Sequence, residues 1–186
     1  MKIKNILYGF IAINIVITSD IHAMEQPNKQ QTEKFSRSAY SYDQDLLNLR
    51  LVAIKNGQDL LKAMRAEDKN KARRLLNEPY IATNITDEFG STSLMYAACY
   101  NYFEIVQILL DKGANPNIQG KDGTTALHWA VTYNNPEIVQ ILVDRGANLK
   151  IKNKCNHTAL DVALMGKNQA IINILIANEK LNCIVC

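Results

Sequence analysis

Histidine is scarce in this chain: there are three in 186 residues, and beyond Ala23 only His128 and His157 remain. Acid–base and nucleophilic catalysis need a base beside an activated Ser or Cys, and no Ser or Cys here stands in such a motif. No glycine-rich phosphate loop is present either. These absences argue against an enzyme and against a bound cofactor. A zinc site needs four close ligands, and the candidates belong to different ends of a unit, Cys155 and His157 on a hairpin tip and Cys183 and Cys186 at the chain end. No metal is therefore expected. Strong charge of one sign is missing as well. Setting aside Lys2, Lys4 and Asp20 of segment 1–23 leaves Lys plus Arg ahead of Asp plus Glu by only two. Such a balance makes no field for nucleic acid. The longest apolar stretch runs from Ile6 to Ile17 with Asn14 inside it, well short of the roughly 20 residues that cross a bilayer.

What the sequence has in abundance is self-similarity. Thr92, Thr125 and Thr158 recur at one fixed interval, and the same interval links Leu94, Leu127 and Leu160, then Ala97, Ala130 and Ala163. Further on it links Ile105, Ile138 and Ile171, then Leu109, Leu142 and Leu175. A fixed period of this size marks stacked supersecondary units, none of which buries its apolar face alone. Each Thr offers a side-chain oxygen to an unpaired amide at a helix start, and the alanines let neighbouring helices approach. Ile105, Val106, Ile108, Leu109 and Leu110 keep an apolar face at helical spacing. Gly113 and Gly146 then end that second helix in a left-handed conformation.

The letters inside the period resemble those of ankyrin repeats. Thr125-Ala126-Leu127-His128-Trp129-Ala130 is similar to the TPLHxA motif, and Gly113-Ala114-Asn115 and Gly146-Ala147-Asn148 resemble the family's helix ending. The resemblance implies an all-α solenoid of about four helix–turn–helix units with short β-hairpin fingers. It places repeats at residues 87–119 and 120–152, with a C-terminal capping repeat and tail over 153–186. An N-terminal capping repeat at 58–86 follows from Leu60, Ala63, Leu75 and Leu76. These precede Leu94, Ala97, Leu109 and Leu110 by one position more than the period. Residues 42–57 read as one further helix stopped at Gly57. Three departures stand out. The usual Pro of helix one is Ser93, Ala126 and Ala159. The motif His survives only as His128, with Met95 and Asp161 in its place elsewhere. Asn156 replaces a turn glycine, which Asn tolerates because it adopts positive φ. In the family the motif imidazole bonds backbone between repeats, and His128 is assigned that structural role.

The ends differ from the array. Residues 1–23 combine Lys2 and Lys4, the short apolar stretch and Ile21-His22-Ala23, the form of a secretory signal peptide. Residues 24–41 lack aliphatic periodicity and read as a polar linker. Enrichment in Ile, Asn and Lys suggests AT-rich codons and, with the signal, a bacterial source. The chain closes on Cys183-Ile184-Val185-Cys186, which fits two chemistries: a CaaX-like prenylation tail on Cys183, or a Cys183–Cys186 disulfide formed on export.

The expected function is an exported, non-catalytic protein-binding module, monomeric, with a protein partner and no nucleic acid. It would meet a membrane only through a lipidated tail or an uncleaved signal. The alternative is a host-directed effector held on host membranes by a prenylated tail. By the family's pattern, partner contacts fall on finger tips and the open face of helix one. These are Glu88, Phe89, Ser91, Cys99 and Tyr100 in one repeat, Lys121, Asp122, Thr124, Thr132 and Tyr133 in the next, and Lys154, Cys155, His157 and Met165 in the last. Tyr100 and Tyr133 stand one period apart, so stacking should set them side by side. Tyr96 and Trp129 fill a slot that usually takes Leu, which assigns them to the core.

Overall fold

The structure, a computed structural model, describes the backbone of residues 29–184 and the side chains of residues 44–179. The chain divides into two compact units, Met1–Leu47 and Asn48–Cys186. Of the first unit, the described part is the opening length of helix α1 (Lys29–Arg65). The second unit holds the rest of α1 and seven more helices: α2 (Lys69–Leu76), α3 (Ser93–Cys99), α4 (Phe103–Asp111), α5 (Ala126–Thr132), α6 (Pro136–Asp144), α7 (Ala159–Gly166) and α8 (Gln169–Ile184). Within it α3, α5 and α7 stack as one layer, and α2, α4, α6 and α8 stack behind them as a second.

The period predicts the core closely. Every Leu, Ala and Ile position that it links is 1% exposed or less, except Leu160, which is half-buried in the last unit. Leu60, Ala63 and Leu76 of the first repeat are buried with them, while Arg65, Lys69, Lys71, Arg73 and Arg74 face solvent. Thr92 Oγ1 accepts from the Met95 amide at 3.3 Å and Thr158 Oγ1 from the Asp161 amide at 3.2 Å, satisfying donors that a helix start leaves unpaired. Gly113 (φ 81°) and Gly146 (φ 83°) follow the last helical residues of α4 and α6 in the left-handed region.

Neighbouring repeats are stapled by hydrogen bonds at the same interval. Asn84 Oδ1 accepts from the Asn115 amide at 2.8 Å and Asn117 Oδ1 from the Asn148 amide at 2.7 Å. Buried Asn135 donates from Nδ2 to the Ala98 carbonyl at 2.8 Å. At the fingers Lys121 N donates to Phe89 O and Lys154 N to Asp122 O, both at 2.8 Å. That contact explains Gly90 and Gly123, whose φ values are +75° and +79°. A Cβ on either would sit 2.9 Å from the next finger's amide nitrogen. Asn156 occupies the third position at φ 63°, as its tolerance of that region allows. The fingers close as turns, with an isolated bridge between Thr86 and Thr92. Asp87 Oδ1 takes the amides of Phe89 and Ser91, both at 2.9 Å, so the side chain satisfies donors that a longer ladder would pair.

The N-terminal boundaries need correction. Helix α1 does not stop at Gly57, and residues 29–41 of the expected linker belong to it. Gly57 serves packing instead: a Cβ there would collide with the Ala82 carbonyl and lie 2.8 Å from Ile85 Cδ1. The loop is drawn this close by the bond from Ala82 N to Ala53 O at 2.9 Å. The signal segment 1–23, residues 24–28 and the terminal Val185 and Cys186 lie outside the described residues, as does the Cys183 side chain. Among the described residues no helix is long and apolar enough to cross a membrane.

Candidate functional site

Aromatic side chains collect on the face made by the fingers and the α3–α5 layer. Tyr96 of α3 and Tyr100 at its C-cap are one turn apart and stack with centroids 6.1 Å apart and planes at 18°. Trp129 of α5 and Tyr133 at its C-cap repeat the arrangement at 5.7 Å and 11°. Residues four apart on a helix share a face, so each pair is a direct consequence of its spacing. Ser91, Met95, Tyr96, Cys99, Tyr100, Trp129 and Tyr133 line a cavity of about 210 Å³ between the helices. An adjoining cavity of about 360 Å³ runs to the fingers, bounded by Phe89, Ser91, Tyr96, Lys121, Asp122 and Trp129.

The expected contact residues divide over this surface. Phe89 and Tyr133 are 58% and 51% exposed, while Ser91 and Tyr100 are half-buried in the groove wall, and Lys121 and Asp122 stand exposed at its finger end. Exposed Thr132 faces a different, polar depression beside α7. Exposed Lys154 and half-buried His157 line neither aromatic cavity. Tyr96 and Trp129 depart from the core assignment. Both pack on the core by one side and line both cavities by the other. The sequence carried a signal for this: each stands four positions before a Tyr already placed on the open face.

The groove's ionisable groups are held in fixed states by their neighbours. Burial pushes Asp87 up, but bonds from the Tyr96 hydroxyl at 2.8 Å and from two finger amides outweigh it, so its carboxyl ends below the usual range. The same burial and the bond to Asp87 push Tyr96 up to about 12. Asp122 behaves alike. Burial opposes ionisation, yet the Thr124 hydroxyl at 2.6 Å and its amide at 2.9 Å lower the carboxyl overall. Burial raises Cys99, partly offset by its hydrogen bond with Tyr133, and so disfavours the reactive thiolate. Burial and nearby Glu67 raise Tyr100.

His128 is a scaffold residue. Its Nε2 lies 3.2 Å from the His157 carbonyl, which requires that nitrogen to donate. Nδ1 then accepts from the Thr125 amide at 3.3 Å. One imidazole thus caps α5 and ties it to the next finger, and burial lowers its pKa. Asp161 performs the capping half of that job one repeat later, accepting from the Thr158 amide at 2.8 Å. Among the described residues no three His, Cys, Asp or Glu side chains gather as a metal site.

A family described as ankyrin repeats, in three copies, matches residues 39–153 and again 113–184. The chain belongs to the ankyrin-repeat family. Ankyrin arrays are protein–protein interaction modules and are in general non-catalytic. Two curated relatives share the same printed description, "Ankyrin repeat, SAM and basic leucine zipper domain-containing protein 1", from Saimiri boliviensis boliviensis and Ateles geoffroyi. Each is 38% identical over 58 residues, which is 31% of this chain and 12% of the relative. The match therefore spans about an eighth of the length of those proteins.

Proposed function

We propose that this ankyrin array is an exported, non-catalytic, monomeric binding module that holds a protein segment in the aromatic groove between α3 and α5. The observation that carries this reading is the repeated pair of stacked rings, Tyr96 with Tyr100 and Trp129 with Tyr133, lining one cavity. Tyr and Trp cover contact area at low entropic cost and are enriched at interfaces. Phe89 adds an apolar ring at the finger, where Arg65 lies 5.9 Å above its centroid. The test is affinity capture with the array from Met24, followed by replacement of Tyr100 and Tyr133 together by Ala. A captured partner should be lost while the urea melt shifts by less than about 1 kcal/mol, the scale of removing partly exposed side chains. Retained capture would sink the groove as the docking site.

Export rests on the charged start and short apolar stretch of residues 1–23. Mass spectrometry of the accumulated protein should find Met24 at its N-terminus, and an intact Met1 would overturn cleavage. A second reading rests on Cys183-Ile184-Val185-Cys186, which matches a CaaX tail and would place the array on a host membrane. Prenyl transfer is a cytosolic eukaryotic reaction, so it competes with simple export. A farnesyl or geranylgeranyl group on Cys183 in material recovered from host cells would replace the first localisation with the second.

A further inference from the structure

We propose that the aromatic groove takes a cationic side chain, arginine ahead of lysine, presented by an extended segment of the partner. The inference rests on the docking reading above and adds the chemistry of the occupant.

Size is the first ground. About 210 Å³ is below the roughly 300–1,000 Å³ of a small-molecule pocket and suits one long side chain. Ring geometry is the second. Tyr96, Tyr100, Trp129 and Tyr133 all line the cavity, and a planar guanidinium stacks on an aromatic face, whereas an ammonium offers only a point charge.

Charge is the third and decides the sign. Asp122 lines the finger end of the groove with its carboxyl held ionised, and Glu67 is near enough to act on Cys99 and Tyr100. The chain's own cations nearby are engaged elsewhere. Arg65 bonds Glu88 at 2.9 Å, stands 4.0 Å from Asp87 and covers Phe89, and Lys69 sits 5.2 Å above the Tyr102 ring. Two aromatic rings beside the groove thus already attract cations, while the groove's own stacks hold none among the described residues. Lys121 at the rim is the opposing charge, and it selects a segment that enters away from that finger. Trp129 supplies a fourth ground: it lines both cavities, and an indole face attracts a cation more strongly than the other aromatic rings.

Trp129 is also the only tryptophan in the chain, so its emission reports on the groove directly. The full chain is titrated with acetyl-Gly-Gly-Arg-Gly-Gly-amide and with the same peptide carrying citrulline, a neutral shape-match for arginine. The arginine peptide should quench Trp129 saturably and bind about tenfold tighter than the citrulline peptide, the scale of a partly desolvated cation–π contact. Asp122→Asn keeps the acceptor for Thr124 and should narrow that gap. Equal affinity of the two peptides overturns the cationic occupant and leaves the docking groove standing. No response to either peptide also overturns it, and capture sensitive to Tyr133→Ala then decides separately whether the groove docks anything.

Discussion

Leu127→Ala tests the stacking directly. Leu127 is 1% exposed on α5, the central helix of its layer, with α3 on one side and α7 on the other. Truncation removes three carbons, worth about 0.8 kcal/mol each in transfer, or roughly 2.4 kcal/mol. A cavity term adds to this because rigid repeats on both sides limit collapse, so the expected loss is about 3–4 kcal/mol. A domain of this size has only about 5–15 kcal/mol in total, so the change should be plain in a urea melt followed by circular dichroism. Leu164→Ala is the matched control. It makes the same chemical change at a position 52% exposed and should cost below about 0.5 kcal/mol. Equal losses at the two sites would refute the assignment of Leu127 to the interface between repeats.

Three further outcomes follow from named contacts. Gly57→Ala should destabilise by about 1–3 kcal/mol because the methyl group meets the Ala82 carbonyl. Were Gly57 an ordinary helical position, the melt would show a gain of roughly 0.5–1 kcal/mol instead. Gly123→Ala should cost more than Gly113→Ala. Both residues have positive φ, but only at Gly123 would the Cβ press on a neighbouring amide, 2.9 Å away at Lys154, so a smaller loss at Gly123 would count against the finger contact. His128 should make stability depend on pH near neutrality. Its folded pKa lies below the unfolded value of 6.5, so its contribution is fully present above about pH 6.5 and is lost as pH falls toward the folded value. Comparing melts at pH 7.5 and 5.5, His128→Gln should flatten the wild-type slope. An unchanged slope would assign it to other groups.

The all-α repeat architecture, the buried Leu, Ile and Ala positions, the Thr caps and the left-handed Gly113 and Gly146 were legible in the sequence. Each is dictated locally or by the repeat period, and a repeat that contacts only its neighbours makes period and packing nearly the same information. The role of His128 was readable for the same reason, because its bonds run to its own helix start and to the next finger. Three features depended on the tertiary structure. Gly57 looks like a helix stop until the Ala82 carbonyl is seen against it, since a close approach from a loop well downstream leaves no local trace. Tyr96 and Trp129 fill slots that usually take Leu, and their size lets one side pack on the core while the other walls the groove. The ionised state of Asp87 is likewise tertiary. Besides the Phe89 and Ser91 amides of its own finger, its carboxyl is set by a hydroxyl on α3 and a guanidinium on α1, groups that only folding brings within hydrogen-bonding and Coulomb range.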